Sequence, residues 1–197
     1  MDLTDLEIGF ALTGSFCTLD KVMPAIEYLT EQGANVQPIL SDHVQEYNTR
    51  FGTADKWKEL VVELTGNQPW LTIPEVEPIG PEKLLDLLIV APCTGNTAAK
   101  LANAITDTVV TMAVKAQLRN KRPVVLAIAT NDALGINGQN ISHLINTPNL
   151  YLVPFGQDNP RGKEKSLVAR MDAIVDTAEF ALTGKQLQPM IIEHKGM

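Results

Sequence analysis

The chain has 197 residues, of which 45% are hydrophobic and 20% charged, as expected for a globular protein with a sizeable core. Its formal net charge of −7 leaves no basic surplus for phosphates, which argues against a nucleic-acid or anionic-membrane partner. No apolar stretch approaches the roughly 20 residues needed to span a bilayer, and the acidic start, MDLTDLEIGF, lacks the basic region of a signal peptide. We therefore expect one cytoplasmic domain over residues 1–197, with residues 188–197 as an extended tail or in subunit contacts.

The first part of the chain predicts a strand, a helix and a second strand. The apolar run 6–12 reads as a strand and is followed by a small polar turn at residues 13–15. Helical spacing then ends at Gly33, where a C-terminal cap belongs, and residues 35–40 form the next strand. This order is that of a βαβ unit.

The middle of the chain predicts a helix, a loop and a buried strand. Residues 54–64 have helical spacing, and the proline-rich segment 67–82 reads as a loop with one short strand near residues 70–73. The continuous apolar run 84–91 predicts a strand buried on both faces and ended by Pro92. Small polar residues at 93–97 follow it and precede a helix over residues 98–104.

The last part of the chain continues the alternation. We expect helices over residues 109–118, around 141–145 and over 166–182, and strands over residues 123–129 and 150–153. The residues from Gly156 to Gly162 form a turn cluster. Alternating strands and helices predict a doubly wound parallel sheet in a three-layer α/β/α domain.

Three of the predicted strands end in loops of similar small, polar composition. These loops are residues 13–15, 93–97 and 130–132. Ligands of doubly wound sheets bind beyond the carboxyl ends of the strands, so all three loops can face one cleft. Hydroxyls and backbone N–H groups before a helix favour an anion, although each loop also fits a connection whose hydroxyl merely caps the next helix. The first loop is neither a P-loop nor a G-x-G-x-x-G motif, because no lysine follows it and Gly9 lies inside the strand.

No loop carries an evident catalytic group. None pairs a nucleophile with a base, and the three histidines and two cysteines have no metal-ligand spacing, so we expect no metal site and assign no general acid or base. Cys17 and Cys93 flank the expected cleft, where we expect them to pack as small apolar side chains. A pocket of amides and hydroxyls suits a cofactor that brings its own chemistry, such as a nucleotide-like cofactor.

Residues 91–103, APCTGNTAAKLAN, resemble the P-A-S/T-A-N-T…K-L-A segment of the FMN-binding flavoprotein (cysteine decarboxylase-like, HFCD) family. The resemblance implies a Rossmann-like fold and a trimer-based homo-oligomer with FMN near subunit interfaces. By analogy, Gly14, Ser15 and Ser41 would hold the phosphate, and Thr94, Asn96 and Thr97 would lie along the ribityl chain and isoalloxazine. The full set of implied cofactor-binding residues is Thr13, Gly14, Ser15, Ser41, Pro92, Thr94, Gly95, Asn96, Thr97, Thr130 and Asn131.

The sequence departs from the decarboxylases of this family at two places. Their histidine before the central strand is absent from residues 76–80, and their methionine pair is absent from residues 129–135, where only Asn131 matches their substrate segment. Oxidative decarboxylation of a cysteine is therefore not expected.

Over nearly its whole length the chain is similar to one branch of this family, the B subunits of a two-subunit oxidoreductase that makes an aromatic pyridine dicarboxylate in spore formers. That similarity implies an A subunit as partner, location in the mother-cell cytoplasm, and FMN here or NAD(P) on the partner as electron acceptor. Arg50 and Asn131 are candidate ligands of the dicarboxylate, with Lys100 and Arg161 as further candidates. Two alternatives stay open: a non-catalytic stabilising subunit with a vestigial flavin site, and a flavin-dependent decarboxylase.

Overall fold

The computed structural model describes residues 3–194, in which strands and helices alternate. In chain order they are β1 (Glu7–Leu12), α1 (Leu19–Glu31), β2 (Asn35–Leu40), α2 (Asp42–Glu46), α3 (Ala54–Thr65), α4 (Ile73–Val76), α5 (Ile79–Glu82), β3 (Leu87–Thr94), α6 (Gly95–Ala102), α7 (Val109–Arg119), β4 (Val124–Thr130), α8 (Asn137–Ile145), β5 (Leu150–Leu152), β6 (Phe155–Gly156), β7 (Leu167–Ala169) and α9 (Ile174–Leu182). Short 3₁₀ turns, Phe16–Thr18 and Met171–Ala173, lead into α1 and α9. None of these helices is long and apolar enough to cross a membrane.

The strands form one seven-stranded sheet within the described residues. Its parallel part has the order β2-β1-β3-β4-β5, so the chain reverses its direction of winding between β1 and β3. β7 is antiparallel to both β4 and β6. The predicted doubly wound parallel sheet is thus confirmed, with an antiparallel pair added at one edge.

The core lies on both faces of the sheet. Residues 87–93 of β3 and 124–129 of β4 are all buried, which requires helices on each side and explains why both runs are apolar without alternation. α1 and α9 contact each other and β3, while α6 and α7 contact each other and the same strand. The result is the expected three-layer arrangement.

Pro92 does not end its strand, so that prediction was wrong. β3 continues to Thr94, and its register against β4 shifts from Val90 opposite Leu126 to Cys93 opposite Ile128. Two residues of β3 therefore face one residue of β4, which is a β-bulge, and a proline without an N–H is tolerated there. The Ala91–Pro92 peptide bond is cis.

The segment predicted as a proline-rich loop contains two short helices, α4 and α5. Thr72 donates its backbone N–H to the Glu75 carboxylate at 2.8 Å, as in a capping box, and Pro74 lies in the first turn of α4, where its missing N–H is not needed. Instead of a short strand, a single bridge pairs Trp70 with Ile39 of β2.

The predicted helix over residues 166–182 begins only at Ile174. β5 pairs with β4 no further than Leu126, which leaves an open edge on the second half of β4, and β7 fills that edge. The described part of the tail packs beside β6: the Phe155 N–H donates to Met190 O, and the Ile192 N–H to Phe155 O, both at 3.0 Å. Residues 195–197 of the predicted tail lie outside the described residues.

Candidate functional site

Two connected cavities lie at the carboxyl ends of β1, β3 and β4. The larger one, here called the cleft, has a volume of about 530 Å³, and the smaller one, the inner cavity, has about 90 Å³. Gly14 and Thr94 line both. The three polar loops predicted from the sequence therefore do meet. The cleft is lined by Gly14, Ser15, Cys17, Thr18, Lys21, Thr94, Gly95, Ala129, Thr130, Asn131, Asp132, Asp158, Lys163 and Val168.

Ser41 lines the inner cavity. Its backbone N–H donates to Leu12 O at 3.0 Å, which ties the end of β2 to β1. Its Oγ is buried and has no hydrogen-bond partner within residues 3–194. Such a group costs the fold about 1–3 kcal/mol unless a ligand satisfies it. A side chain at position 14 would narrow the inner cavity, because a Cβ there would lie 3.2 Å from the Cβ of His43.

Thr13 belongs to the frame of the site. It is buried, and its Oγ1 donates to Pro92 O at 2.7 Å and accepts from the Thr94 N–H at 3.0 Å. These bonds join the end of β1 to the bulged part of β3. Thr13 and Pro92 were both predicted to bind the cofactor; Thr13 also lines the inner cavity, whereas Pro92 lines neither cavity.

The N-terminus of α6 opens onto the inner cavity. The Thr94 Oγ1 accepts from the Thr97 N–H at 3.2 Å and lies 3.0 Å from the Thr97 Oγ1. Asn96 lines the same cavity and is exposed. Lys100 lines it too, but its Nζ lies 2.8 Å from the Asp107 carboxylate. N–H groups and hydroxyls at a helix N-terminus suit an anionic group.

Asn137 and Asn140, which were not expected from the sequence, form a polar group with Thr130 and Asp132 at the cleft. The Asp132 carboxylate accepts hydrogen bonds from Thr130 and from Asn137, which lower the pKa of Asp132 below its ordinary value. Asn137 in turn accepts from Asn140 of the same helix, and both asparagines are buried. The sequence does contain a signal for this group: Asn137 and Asn140 are three residues apart, which places them on one face of a helix.

The lysines of the cleft are not the predicted cations. Lys21 and Lys163 line the cleft, and Lys163 lies 3.5 Å from Asp158. Arg50 is exposed, stacks over the Phe51 ring at 4.8 Å and lines neither cavity of this chain. Arg161 is exposed in the turn before β7.

The two cysteines differ in their surroundings. Cys93 is buried in β3, and burial raises the pKa of its thiol to about 12. Cys17 is exposed and lines the cleft, so the expectation that both thiols pack as apolar side chains was wrong for Cys17. Among residues 3–194, no group of three or more His, Cys, Asp or Glu side chains could hold a metal ion.

A parallel sheet with an anion-suited cavity at its switch point defines an α/β protein of the nucleotide-cofactor-binding class. The model of the flavoprotein family matches residues 1–179, so the chain belongs to this family. It is 50% identical over 187 residues to the B subunit of dipicolinate synthase of Bacillus subtilis, covering 95% of this chain and 94% of that protein.

Solved structures agree with this family. The crystal structure of the dipicolinate synthase B subunit from Bacillus halodurans superposes with a TM-score of 0.90 at 48% identity, covering 98% of this chain and 99% of that one. The FMN-dependent cysteine decarboxylase SpaF has a TM-score of 0.68 at 18% identity, covering 92% and 99% of the two chains. At that identity the likeness to SpaF concerns the fold alone.

Proposed function

We propose that this chain is a B-type subunit of dipicolinate synthase that binds FMN and acts with an A subunit. Together they would convert a dihydrodipicolinate-type precursor to dipicolinate in the mother-cell cytoplasm during sporulation. The proposal is supported by the similarity to the B subunits of dipicolinate synthases along nearly the whole chain.

The observation that carries the FMN assignment is the unpaired Ser41 hydroxyl. A buried hydroxyl without a partner in the described chain, beside Gly14 and the N-terminus of α6, fits the phosphate group of FMN. Gly14, Ser15, Ser41 and Thr97 would hold that phosphate, while Thr130 and Asn131 line the wider cleft beyond it.

Bound FMN would supply a two-electron acceptor, which dehydrogenation to an aromatic pyridine requires. The residues of this chain would bind and orient the substrate. Lys21 and Lys163 are the cations at the cleft and would attract the two carboxylates. Arg50, the cation predicted from the sequence, would contribute only where oligomer assembly places it at the cleft of a neighbouring copy.

A visible absorbance spectrum of the purified chain, with and without added FMN, tests this proposal. We expect flavin bands that stay with the protein on gel filtration, and dipicolinate synthesis when the A subunit is added. Ser15→Asp places a carboxylate at the cleft and should repel the phosphate, so that flavin is lost while the complex still assembles.

Two outcomes would contradict the FMN assignment. The first is flavin that does not stay with either the chain or the complex on gel filtration. The second is normal dipicolinate synthesis by the complex that contains Ser15→Asp. Activity that then depends on NAD(P) alone would assign the electron acceptor to the A subunit and leave this chain a stabilising role.

A further inference from the structure

A series of side-chain hydrogen bonds ends on the Asp132 carboxylate, each bond donated in the same direction. Asn103 donates to Asn140 at 3.3 Å, Asn140 donates to Asn137 at 2.8 Å, and the Asn137 Nδ2 donates to the two Asp132 oxygens at 2.9 and 3.0 Å. Because the Asn137 oxygen already faces Asn140, its nitrogen must face Asp132. The series joins α6 and α8 to the loop after β4.

Thr130 contacts the same Asp132 oxygen, Oδ1, that Asn137 contacts. Its Oγ1 lies 2.6 Å from the Asp132 Oδ1. The hydrogen bonds from Thr130 and Asn137 keep the pKa of Asp132 below its ordinary value, so at neutral pH the carboxylate has no proton to give. Thr130 must therefore donate. A hydroxyl has one hydrogen and two lone pairs, so only lone pairs remain for anything in the cleft.

We propose that Asp132 and Asn137 are positioning residues that fix the Thr130 hydroxyl as a hydrogen-bond acceptor toward the cleft, so that the site selects a ligand with an N–H or O–H donor there. Gly95 keeps this oxygen accessible, because a Cβ at that position would collide with it. The inference rests on the proposed FMN site for its ligand, whose ring N–H and ribityl hydroxyls are such donors.

The direction of these bonds can be reversed and restored by amide–carboxylate exchange. In Asp132→Asn, the amide has only one oxygen. With that oxygen at the Oδ2 position it accepts from Asn137 while the nitrogen donates to Thr130, which then points its hydrogen at the cleft; with the oxygen at the Oδ1 position the wild-type direction is kept. In the double variant Asp132→Asn/Asn137→Asp, the carboxylate at position 137 accepts from Asn140 and from the amide at 132. The oxygen of that amide then faces Thr130, which becomes an acceptor again.

Fluorescence titration with FMN measures the consequence. We expect Thr130→Val to raise the Kd about 10-fold, which corresponds to the loss of one hydrogen bond, Asp132→Asn to raise it less because its amide has two orientations, and the double variant to return within about threefold of wild type. Asp158→Asn is the control, since it removes a carboxylate from the same cleft and leaves Thr130 untouched. If charge alone mattered, removing a carboxylate would tighten the binding of the anionic FMN in both Asp132→Asn and Asp158→Asn.

The inference is overturned if Thr130→Val binds FMN as wild type does, or if the double variant melts like wild type yet binds as weakly as Thr130→Val. A measurement without FMN, the pKa of Asp132, separates this inference from the proposed function. Thr130→Val and Asn137→Ala should each raise the pKa of Asp132 measured by NMR. If the wild type binds no FMN, the proposed function fails, and an unchanged Asp132 pKa in both variants would overturn the hydrogen-bond series as well.

Discussion

Ser41 keeps a buried hydroxyl that the described chain itself does not use. We expect Ser41→Ala to leave the free energy of unfolding of the ligand-free protein unchanged or to raise it by about 1 kcal/mol, because an unsatisfied group is removed. The same change should weaken FMN binding about 10-fold. Thermal melts measure the stability of the ligand-free protein and titrations measure its affinity for FMN. Ser142→Ala, at an exposed position of a helix, is the control. Lower ligand-free stability with unchanged affinity would remove Ser41 from the site.

The thiols should differ in reactivity. With a pKa of about 12, Cys93 has a thiolate fraction of about 10⁻⁴ at pH 8, whereas Cys17 is open to solvent. We expect a chromogenic disulfide reagent at pH 8 to titrate one thiol in the native protein and both after denaturation. FMN should slow the reaction of Cys17, which lines the cleft. Equal rates for both thiols would contradict the buried position of Cys93.

The cations of the cleft can be ranked by kinetics. Lys163→Ala should raise the KM for the precursor about 10-fold with kcat within about threefold, because an attraction to a carboxylate is lost in ground state and transition state alike. Arg50→Ala, assayed in the same complex, is the comparison. A larger effect at Arg50 would mean that a neighbouring copy of the chain contributes to the cleft.

At the scale of the element, the close contact between α6 and the end of β4 depends on one glycine. A Cβ on Gly95 would lie 2.8 Å from the Asn137 Nδ2 and would also collide with Thr130. We expect Gly95→Ala to destabilise the protein by about 1–3 kcal/mol and to abolish FMN binding. Gly80→Ala is the matched control, since its Cβ would meet only ordinary contacts, the nearest at 3.7 Å. Denaturant unfolding measures the loss of stability in both variants.

The sequence predicted those elements whose apolar pattern is fixed by burial on both faces. The runs that became β3 and β4 are buried along their length, so their composition alone identifies them. β7 has three residues, and its strand conformation depends on the open edge of β4, which no local pattern encodes. The bulge at Pro92 depends likewise on the register of a neighbouring strand.

The candidate site was predictable to a similar extent. The loops after β1, β3 and β4 were identified because parallel strands bring their carboxyl ends together. Lys21, Asp158 and Lys163 were not expected at the cleft, since they come from α1 and from the antiparallel edge, whose positions are set by packing. Asn137 was missed because α8 was predicted too short.

At the scale of the whole molecule, apolar side chains are exposed next to the cleft. Leu134 and Ile136 are 54% and 79% exposed and follow Asp132 closely in the chain. We expect the protein to be a homo-oligomer and Leu134→Asp/Ile136→Glu to dissociate it, because these residues would lie in the subunit contact. Analytical ultracentrifugation measures this, with Tyr28→Glu on α1 as control. A wild-type monomer, or an oligomer untouched by the double change, would contradict the expectation.

Because of the antiparallel edge of the sheet, the two sides of the site are built by different parts of the chain. The inner cavity is lined by the segments that follow β1 and β2, the end of β3, α6 and the start of α7. In contrast, Asp158, Lys163 and Val168 reach the cleft from the segment between β6 and β7 and from β7 itself. That segment joins the sheet through the short pairings of β6 and β7, and its Lys165 O accepts from the Leu134 N–H at 3.0 Å; these bonds do not involve the residues of the inner cavity. If the proposed function holds, substitutions over residues 157–165 would change the substrate side of the cleft and leave the inner cavity in place, provided that the buried Ser166 is kept.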